Sequence, residues 1–396
     1  MSPDDIVILS AVRTPLGSFQ GALAGVPAPR LGTVAIKAAV ARAGIDPASV
    51  TDVVMGNVLQ AGLGQAPARQ AALYAGLPPS ARAVTVHKVC GSGLQAVMQA
   101  AHALRAGMGE IFVAGGMENM SAAPYLLPKA REGYRMGHQT VVDSMIQDGL
   151  WDPYGQVHMG SCAEQCARKY NFSRAEQDAY ASESFRRANA AQKDGRTADE
   201  IVPVEVTDAK GRTTTVALDE GPGRVNYERI PTLKPAFDPA GTITAANAST
   251  INDGAAALVL TTAAIAAARG LKPLARLAGF GSHSQEPAWF TTAPVGAARA
   301  ALQAAGWAGG EIDLWEVNEA FAVVPLALAR ELAVPSDKLN VRGGAISLGH
   351  PLGCSGARIL VTLLAALRER RGRRGLAAIC IGGGEGMAAA LEMTSS

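Results

Sequence analysis

The sequence predicts an α/β fold built from two duplicated halves, with a loop subdomain inserted between them. Short β-branched runs alternate with longer helical patterns, which is typical of an α/β protein. The order of elements in the first third of the chain then returns in the last third, which indicates an internal duplication. A chain of 396 residues is long enough for two or three domains.

The first half opens with a strand at residues 6–9, a helix at about 31–43, and strands at 53–55 and 84–89. Apolar residues at helical spacing then predict another helix, before a buried strand at 111–114. These apolar residues are Leu94, Val97, Met98, Ala101 and Leu104.

Three pairs of segments indicate the duplication: 43–57 with 305–318, 91–93 with 354–356, and 112–117 with 379–384. In the first pair, Asn57 and Asn318 each end a strand. The sequence therefore predicts an N-terminal half at 1–117 plus 249–270, and a C-terminal half at 271–396. The inserted loop subdomain is predicted at 118–248, with helices at about 161–170 and 174–190.

Composition excludes several classes of protein. With 48% apolar and 18% charged residues the chain is not disordered, and a net charge of +2 favours neither nucleic acid nor an anionic membrane as a partner. Five cysteines without regular spacing suit a reducing compartment. The acidic start, the lack of a long apolar run and the ending at 393–396 lead us to expect a cytoplasmic protein.

Cys90 lies where a strand ends and a helix begins, in Val89-Cys90-Gly91-Ser92-Gly93. Free N–H groups and the positive helix end are expected to lower the thiol pKa and so to produce a nucleophile. A small buried hydrophobe is the alternative interpretation. Residues 91–96 also fit G-x-G-x-x-A, the dinucleotide turn, but they do not open the fold and the signal is weak.

Three more side chains are candidates for chemistry. His350 is the titratable group in a glycine-rich loop and suits a general base for a thiol, or else a turn histidine bonded to a carbonyl. Cys380 ends a strand before three glycines, at a predicted mouth lined by N–H groups that could hold an oxyanion. Asn318 can orient a water or a carbonyl, although an ordinary helix N-cap is its simplest interpretation.

A metal site is conceivable at His158, Cys162 and Cys166, which are four residues apart and would share a helix face. No fourth ligand stands out, and Cys-x-x-x-Cys is not a usual zinc spacing. We therefore expect no metal.

Together, four segments resemble the signature blocks of the thiolase family: residues 89–93, 318–321, 349–353 and 380–384. The resemblance covers almost the whole chain, from Ile6 to the final strand. It implies a five-layered αβαβα core made of two duplicated halves, with a loop subdomain inserted in the first half.

The resemblance also implies roles for these residues. Cys90 would be the nucleophile that accepts the acyl group, and His350 would be the base that activates Cys90. Cys380 would move the α-proton of the substrate. Asn318 would hold a water that, with His350, forms one oxyanion hole, and the N–H groups of Cys90 and Gly382 would form the other. The reaction is then a two-step acyl exchange, with coenzyme A as a substrate and no cofactor.

Further matches are to substrate-binding residues. Ser249 resembles the family's contact to the pantetheine arm, and Arg224 its arginine beside the nucleotide of CoA. His158 and Met159 resemble the block that narrows the acyl pocket in the short-chain branch, which condenses two acetyl-CoA to acetoacetyl-CoA. The segment 117–154 resembles that branch too and implies a homotetramer, a dimer of dimers.

Alternatives to this interpretation differ in substrate and in class. A degradative thiolase for longer 3-ketoacyl-CoA is the nearest. An acyl-CoA-binding protein on an inactive scaffold would be expected to have lost Cys90, His350 or Cys380. Condensing enzymes that depend on acyl carrier protein typically pair their cysteine with two histidines, and the sequence has no second histidine block like theirs.

The sequence departs from the family pattern at His87, Arg342, Cys354 and Glu385. A carboxylate at Glu385 is expected to raise the pKa of Cys380 by repulsion of a thiolate. A thiol at Cys354 is expected to make the site easier to oxidise.

Overall fold

The computed structural model describes residues 1–394. Its strands are β1 (Ile6–Arg13), β2 (Gly17–Ser18), β3 (Asp52–Gly56), β4 (Arg82–Val86), β5 (Ile111–Asn119), β6 (Tyr125–Leu126), β7 (Val142–Asp143), β8 (Trp151–Asp152), β9 (Val157–His158), β10 (Val204–Thr207), β11 (Thr213–Val216), β12 (Asn252–Thr262), β13 (Ala275–Ser284), β14 (Leu314–Val317), β15 (Arg374–Ile381) and β16 (Glu385–Met393). Its α-helices are α1 (Ala28–Arg42), α2 (Pro67–Tyr74), α3 (Ser92–Arg105), α4 (Met159–Tyr170), α5 (Arg174–Lys193), α6 (Ala263–Ala268), α7 (Ala293–Ala305), α8 (Val323–Leu332), α9 (Ala345–Leu348) and α10 (Leu352–Arg370).

The main strands repeat one pairing pattern in each half of the chain. In the N-terminal half the order is β1-β12-β5-β3-β4, and in the C-terminal half it is β13-β16-β15-β14. In both, the first two contacts are antiparallel and the next is parallel. The two halves meet where β1 pairs with β13 over two residue pairs. This repetition confirms the duplication predicted from the sequence.

Three large hydrophobic cores lie among the five layers. The central core contains side chains from α3 and α10, the N-terminal core lies under α1 and α2, and the C-terminal core lies under α7 and α8. Side chains of one strand alternate between neighbouring cores, because successive residues of a strand point to opposite faces. Ile6 and Ile8 face the central core, whereas Val7 and Leu9 face the N-terminal core. The predicted αβαβα layering is therefore confirmed.

Helix α10 lies in the central layer between the two halves of the ten-stranded sheet and is buried from Leu352 to Leu367. A helix with protein on every side has no solvent face, which is why Leu and Ala run along all of it. The turn before α10 contains His350, so the most enclosed layer of the fold carries a titratable side chain at its start.

The segment between β5 and β12, inserted in the N-terminal half, consists of small hairpins and of two helices that lie close to where the sequence predicts them, α4 and α5. Helix α5 starts at a capping box in which Ser173 and Glu176 satisfy each other's backbone N–H groups. The hairpins β6–β7 and β8–β9 precede α4, and β10–β11 follows α5. The domain boundaries given above remain a prediction.

Among residues 1–394, none of the helices is both long enough and apolar enough to cross a bilayer. The five cysteines are free. Ser395 and Ser396, which contribute to the expectation about targeting, lie outside the described residues.

Candidate active site

The two helices of the central layer cross at their first turns. A Cβ added to Gly93 of α3 would lie 2.7 Å from the backbone nitrogen of Ala357, and one added to Gly356 of α10 would lie 2.4 Å from that of Leu94. Only glycine permits such an approach of two backbones. The duplicated Ser-Gly pairs of the sequence therefore mark the crossing, which brings the turns before both helices into one cavity.

Cys90 belongs to the turn that joins β4 to α3. The hydroxyl of Ser92 accepts from the N–H of Lys88 at 2.8 Å and donates to the carbonyl of Val89 at 2.6 Å. Val89 has a φ of 44°, in the left-handed region, which is unusual for a β-branched residue and costs about 1–3 kcal/mol. The turn begins at residue 87, so β4 ends at Val86, three residues before the predicted strand end.

The expected lowering of the Cys90 pKa is wrong. Burial raises the pKa of the thiol to about 12, and the charge of Glu118 adds to this effect. The N–H groups of Gly382 and of Cys90 itself donate towards the sulfur and lower the pKa, but less than burial raises it. The resting nucleophile is therefore a thiol, which must lose its proton to a base as it reacts.

His350 is the base within reach of the same cavity. It is 5% exposed, and burial together with the nearby Arg358 cation lowers its pKa to about 3. Its Nδ1 lies 2.6 Å from the hydroxyl of Ser355, and its backbone N–H donates to Oδ1 of Asn252 at 3.0 Å. Within residues 1–394 its Nε2 has no hydrogen-bond partner. A neutral imidazole with one free nitrogen is suited to take a proton.

Cys380 is 1% exposed in β15 and is not at an open mouth, in contrast to the expectation from the glycines that follow it. Burial raises the pKa of its thiol well above the ordinary value, and the charge of Cys90 raises it further. The two thiols are therefore close enough to interact. Gly382, two residues later, lines the cavity beside Cys90.

Asn318 is fully buried at the end of β14, and its amide nitrogen is 3.5 Å from Nδ1 of His350. Its Oδ1 accepts from Arg358 at 3.4 Å, and Arg358 is held by Glu316 at 2.6 Å. The structure thus places Asn318 beside His350, as part of a buried polar group under the cavity.

The cavity has a volume of about 230 Å³ and is lined by Cys90, His350, Gly382, His158 and Met159. Three aromatic side chains complete its wall, namely Phe237, Phe290 and Phe321, of which the sequence did not predict the first two. The His158 ring stacks on Phe237 at 4.7 Å between centroids, and burial lowers the pKa of His158. Phe321 belongs to the signature segment 318–321, but no local sequence pattern identifies Phe237 and Phe290 as cavity residues.

A second cavity of about 680 Å³ is lined by Arg224 and Phe185 and shares Ser249 with the first. Ser249 therefore stands where the two cavities meet, at residues 248–251. Arg224 is exposed and pairs with Glu220 at 2.9 Å. The smaller cavity is therefore a narrow pocket that contains Cys90 and His350, and it opens into a wider outer groove that contains Arg224.

Two expectations about the unusual residues are wrong. Cys354 is fully buried, and burial raises its pKa to about 12, so its thiol lacks both the exposure and the thiolate that oxidation requires. Glu385 is not among the causes of the raised Cys380 pKa, because its carboxylate pairs with Lys88 at 2.6 Å.

The other two departures have separate surroundings. Arg342 is buried and bonded to Glu369 at 2.9 Å and to Asp199 at 3.2 Å, in an ion-pair network away from the cavity. His87 is exposed, and its Nδ1 accepts from Val89 at 3.3 Å.

In the part of the chain that the structure describes, no three or more His, Cys, Asp or Glu side chains form a group that could hold a metal ion. His158 uses its Nδ1 to cap α4 at Gly160, 3.2 Å away.

Comparison with known proteins gives a consistent result over nearly the full chain. Residues 6–264 match the family model described as the thiolase N-terminal domain, and residues 271–393 match the thiolase C-terminal domain. The chain is 51% identical to acetyl-CoA acetyltransferase 2 of Arabidopsis thaliana, over 99% of this chain and 98% of that protein. It is 52% identical to acetyl-CoA acetyltransferase of Cupriavidus necator, over 98% and 99%.

Among solved structures, the chain is similar to the Acat5 thiolase from Ascaris suum in complex with coenzyme A. The TM-score is 0.93 at 43% sequence identity, and the match covers 98% of this chain and all of that one.

Proposed function

The chain belongs to the thiolase family, and from this premise we propose that it condenses two acetyl-CoA to acetoacetyl-CoA and CoA, reversibly, through an acyl-enzyme on Cys90. Its activity is that of an acetyl-CoA acetyltransferase, as in relatives about 50% identical over the full length. Its substrates are acetyl-CoA, acetoacetyl-CoA and CoA.

One observation supports this proposal most strongly: a single cavity holds the Cys90 thiol, the free nitrogen of His350 and the Gly382 N–H. These are a nucleophile, a base and a hydrogen-bond donor for an oxyanion, the three groups that acyl transfer needs. The Cys380 thiol is close enough to interact with Cys90, and its raised pKa keeps it protonated at rest.

In the first step, the Cys90 sulfur attacks the thioester carbon of acetyl-CoA while its proton passes to Nε2 of His350. The carbonyl oxygen becomes an oxyanion that accepts from the N–H groups of Cys90 and Gly382. When the carbon–sulfur bond to CoA breaks, the proton on His350 goes to the leaving sulfur. The products are acetyl-Cys90 and CoA.

In the second step, the Cys380 thiol passes its proton to Nε2 of His350, which is neutral again once CoA has left, and the Cys380 thiolate removes the α-proton of a second acetyl-CoA. The N–H now at Nε2, together with a water held by Asn318, would stabilise the enolate oxygen. The enolate attacks the acetyl carbon on Cys90, the bond from that carbon to sulfur breaks, and the leaving sulfur takes the proton from His350, so that both cysteines are thiols again. In the cleavage direction the Cys380 thiol donates its proton to the enolate, and burial favours that protonated form.

A short acyl group is favoured over the long chains of the degradative alternative. The cavity of about 230 Å³ ends against Phe290, Phe321 and Met159, which are all buried. Phe290 packs edge-on to Phe321 with ring centroids 6.3 Å apart, so neither ring is free to move aside. His158, stacked on Phe237, narrows the same pocket.

For CoA, we propose that Ser249 contacts the pantetheine arm and that Arg224 lies near the nucleotide. Ser249 stands at the junction of the cavity and the outer groove, and Arg224 lines that groove. Arg224 would exchange part of its interaction with Glu220 for the ligand.

The test is CoA-dependent cleavage of acetoacetyl-CoA compared with 3-ketohexadecanoyl-CoA, in the wild type and in Cys90→Ser. We expect rapid cleavage of the short substrate only, and its loss in the variant by a factor of about 10³ or more. Preference for the long substrate would assign the protein to the degradative branch.

A homotetramer is the proposed assembly. Strand β4 is the last strand of its sheet, and alternate residues on it are exposed, Val84 at 50%. The segment 125–141 exposes several large apolar side chains, including Tyr125, Leu127, Met136 and Val141. Exposed apolar surface of this kind marks an interface. Light scattering should give a mass of about four times 40.7 kDa.

The proposed reaction uses only protein side chains and thioesters, and we propose that it needs no metal or prosthetic group. We also propose a cytoplasmic location and a role in lipid metabolism, since the five free thiols suit a reducing compartment. Cell fractionation with an antibody to the chain would test the location.

A further inference from the structure

The proposed base is attached to the start of α10 by a short chain of polar atoms. Nδ1 of His350 is 2.6 Å from Oγ of Ser355, and Oγ of Ser355 is 2.8 Å from the carbonyl oxygen of Pro351. Ser355 is fully buried and His350 is 5% exposed. Water therefore cannot readily replace the hydroxyl of Ser355 as the hydrogen-bond partner of Nδ1.

The position of one hydrogen decides what His350 can do. A serine hydroxyl has a single hydrogen, so if Ser355 donates to Pro351 it must accept from an N–H at Nδ1 of His350. The reverse arrangement would leave an N–H at Nε2, and within the described residues that nitrogen has no acceptor. Buried N–H groups are rarely left without a partner, so the first arrangement is favoured.

Neighbouring groups support the same arrangement. The amide nitrogen of Asn318 is also near Nδ1, but at 3.5 Å it is too far to compete with Ser355. Arg358, one helical turn after Ser355, is fully buried and held by Glu316 at 2.6 Å. Its fixed positive charge disfavours a second proton on the imidazole, which keeps the ring neutral before reaction.

We propose that Ser355 is a positioning residue that holds His350 in its Nδ1–H tautomer and so leaves Nε2 as the base for Cys90. This inference rests on the proposed function. During acyl transfer the Cys90 proton moves to Nε2, Nδ1–H continues to donate to Ser355, and the proton then leaves with the CoA sulfur. Ser355 itself neither gains nor loses a proton.

Three variants separate this role from ordinary packing. Ser355→Ala removes the acceptor, and Ser355→Thr retains a hydroxyl. Thr362→Val removes another fully buried hydroxyl from the same helix, one that has no partner within residues 1–394. We expect Ser355→Ala to lower kcat for acetoacetyl-CoA cleavage by about 10- to 100-fold with KM changed less than about twofold. Ser355→Thr should recover most of kcat, and Thr362→Val should retain it.

The tautomer can be read directly by nitrogen-15 NMR of protein labelled at histidine, with the His350 signals assigned from their absence in His350→Asn. The expected result is a protonated Nδ1 and a bare Nε2 in the wild type, and a signal from protonated Nε2 in Ser355→Ala. A wild type protonated at Nε2, or unchanged kcat in Ser355→Ala, would overturn the inference.

The spectrum needs no turnover, so the two failures can be told apart. A wild type that does not cleave acetoacetyl-CoA would contradict the proposed function whatever the tautomer. A wild type that does cleave it, with Nε2 protonated, would contradict only the role of Ser355.

Discussion

Replacing Gly356 by alanine should separate the two catalytic turns. The new Cβ would lie 2.4 Å from the backbone nitrogen of Leu94, and ordinary contact begins at 3.4 Å. Neither atom belongs to a flexible side chain, so α10 must move from α3 by about 1 Å. A displacement of that size between reacting groups costs about 10²-fold in rate, because Cys90 and His350 no longer share a productive geometry.

Stability should change much less than activity in Gly356→Ala. Overpacking a core costs about 1–3 kcal/mol, and alanine recovers up to about 1 kcal/mol over glycine inside a helix. The assay is kcat for acetoacetyl-CoA cleavage together with thermal unfolding. Gly310→Ala is the control, since a Cβ there meets nothing within 4 Å. A folded Gly356→Ala enzyme with wild-type kcat would refute the argument that the helix crossing sets the distance between the two groups.

Three further predictions concern charge, pocket size and metal. Burial raises the pKa of Glu118 to about 7 from 4.5, so the folded state keeps this proton longer than the unfolded one. The free energy of unfolding should therefore fall by about 3 kcal/mol as pH rises through that range, and Glu118→Gln should flatten this dependence in thermal melts. Phe290→Ala should raise kcat/KM for 3-ketohexanoyl-CoA relative to acetoacetyl-CoA by about 10-fold or more, and an unchanged ratio would exclude Phe290 as the limit on chain length. Dialysis against EDTA should leave the cleavage rate unchanged, whereas a loss restored by a divalent ion would contradict the proposal of a metal-free reaction.

Much of the fold could be predicted because its pattern is local and repeated. Runs of β-branched residues and apolar residues at helical spacing predict β1 and α1. The same patterns recur in both halves and predict the equivalent strands β5 and β15 and the equivalent helices α3 and α10. The sheet order could not be read in this way. It depends on which buried faces meet, and strands buried on both faces carry no polar side to orient them.

The sequence motifs predict which residues form the site, but they do not predict the pKa values and ion pairs of those residues. The sequence shows Cys90 before a helix, but the pKa of its thiol depends on burial, on the N–H of Gly382 and on the charge of Glu118, and the last two come from distant segments. Likewise, the sequence around Glu385 does not predict its ion pair with Lys88, which lies in a distant segment. The Phe237 and Phe290 rings also line the cavity, and their positions depend on tertiary contacts that the local sequence does not show.

Ser355 is an instructive intermediate case. It lies five residues after His350, in the segment 354–356 that duplicates 91–93. The tight turn at Pro351 folds α10 back so that this serine meets the imidazole. A serine within one turn after a loop histidine is a signal that could have been used.

Trapping the acyl-enzyme would show whether Cys90 carries the acyl group. Wild-type protein and Cys90→Ser would be mixed with acetyl-CoA, quenched in acid and digested, and the peptide with residue 90 would be weighed by mass spectrometry. We expect the wild-type peptide to gain the mass of one acetyl group, added CoA to remove it, and the variant to show none at turnover times. An acetyl group on another residue, or none during active turnover, would contradict this expectation.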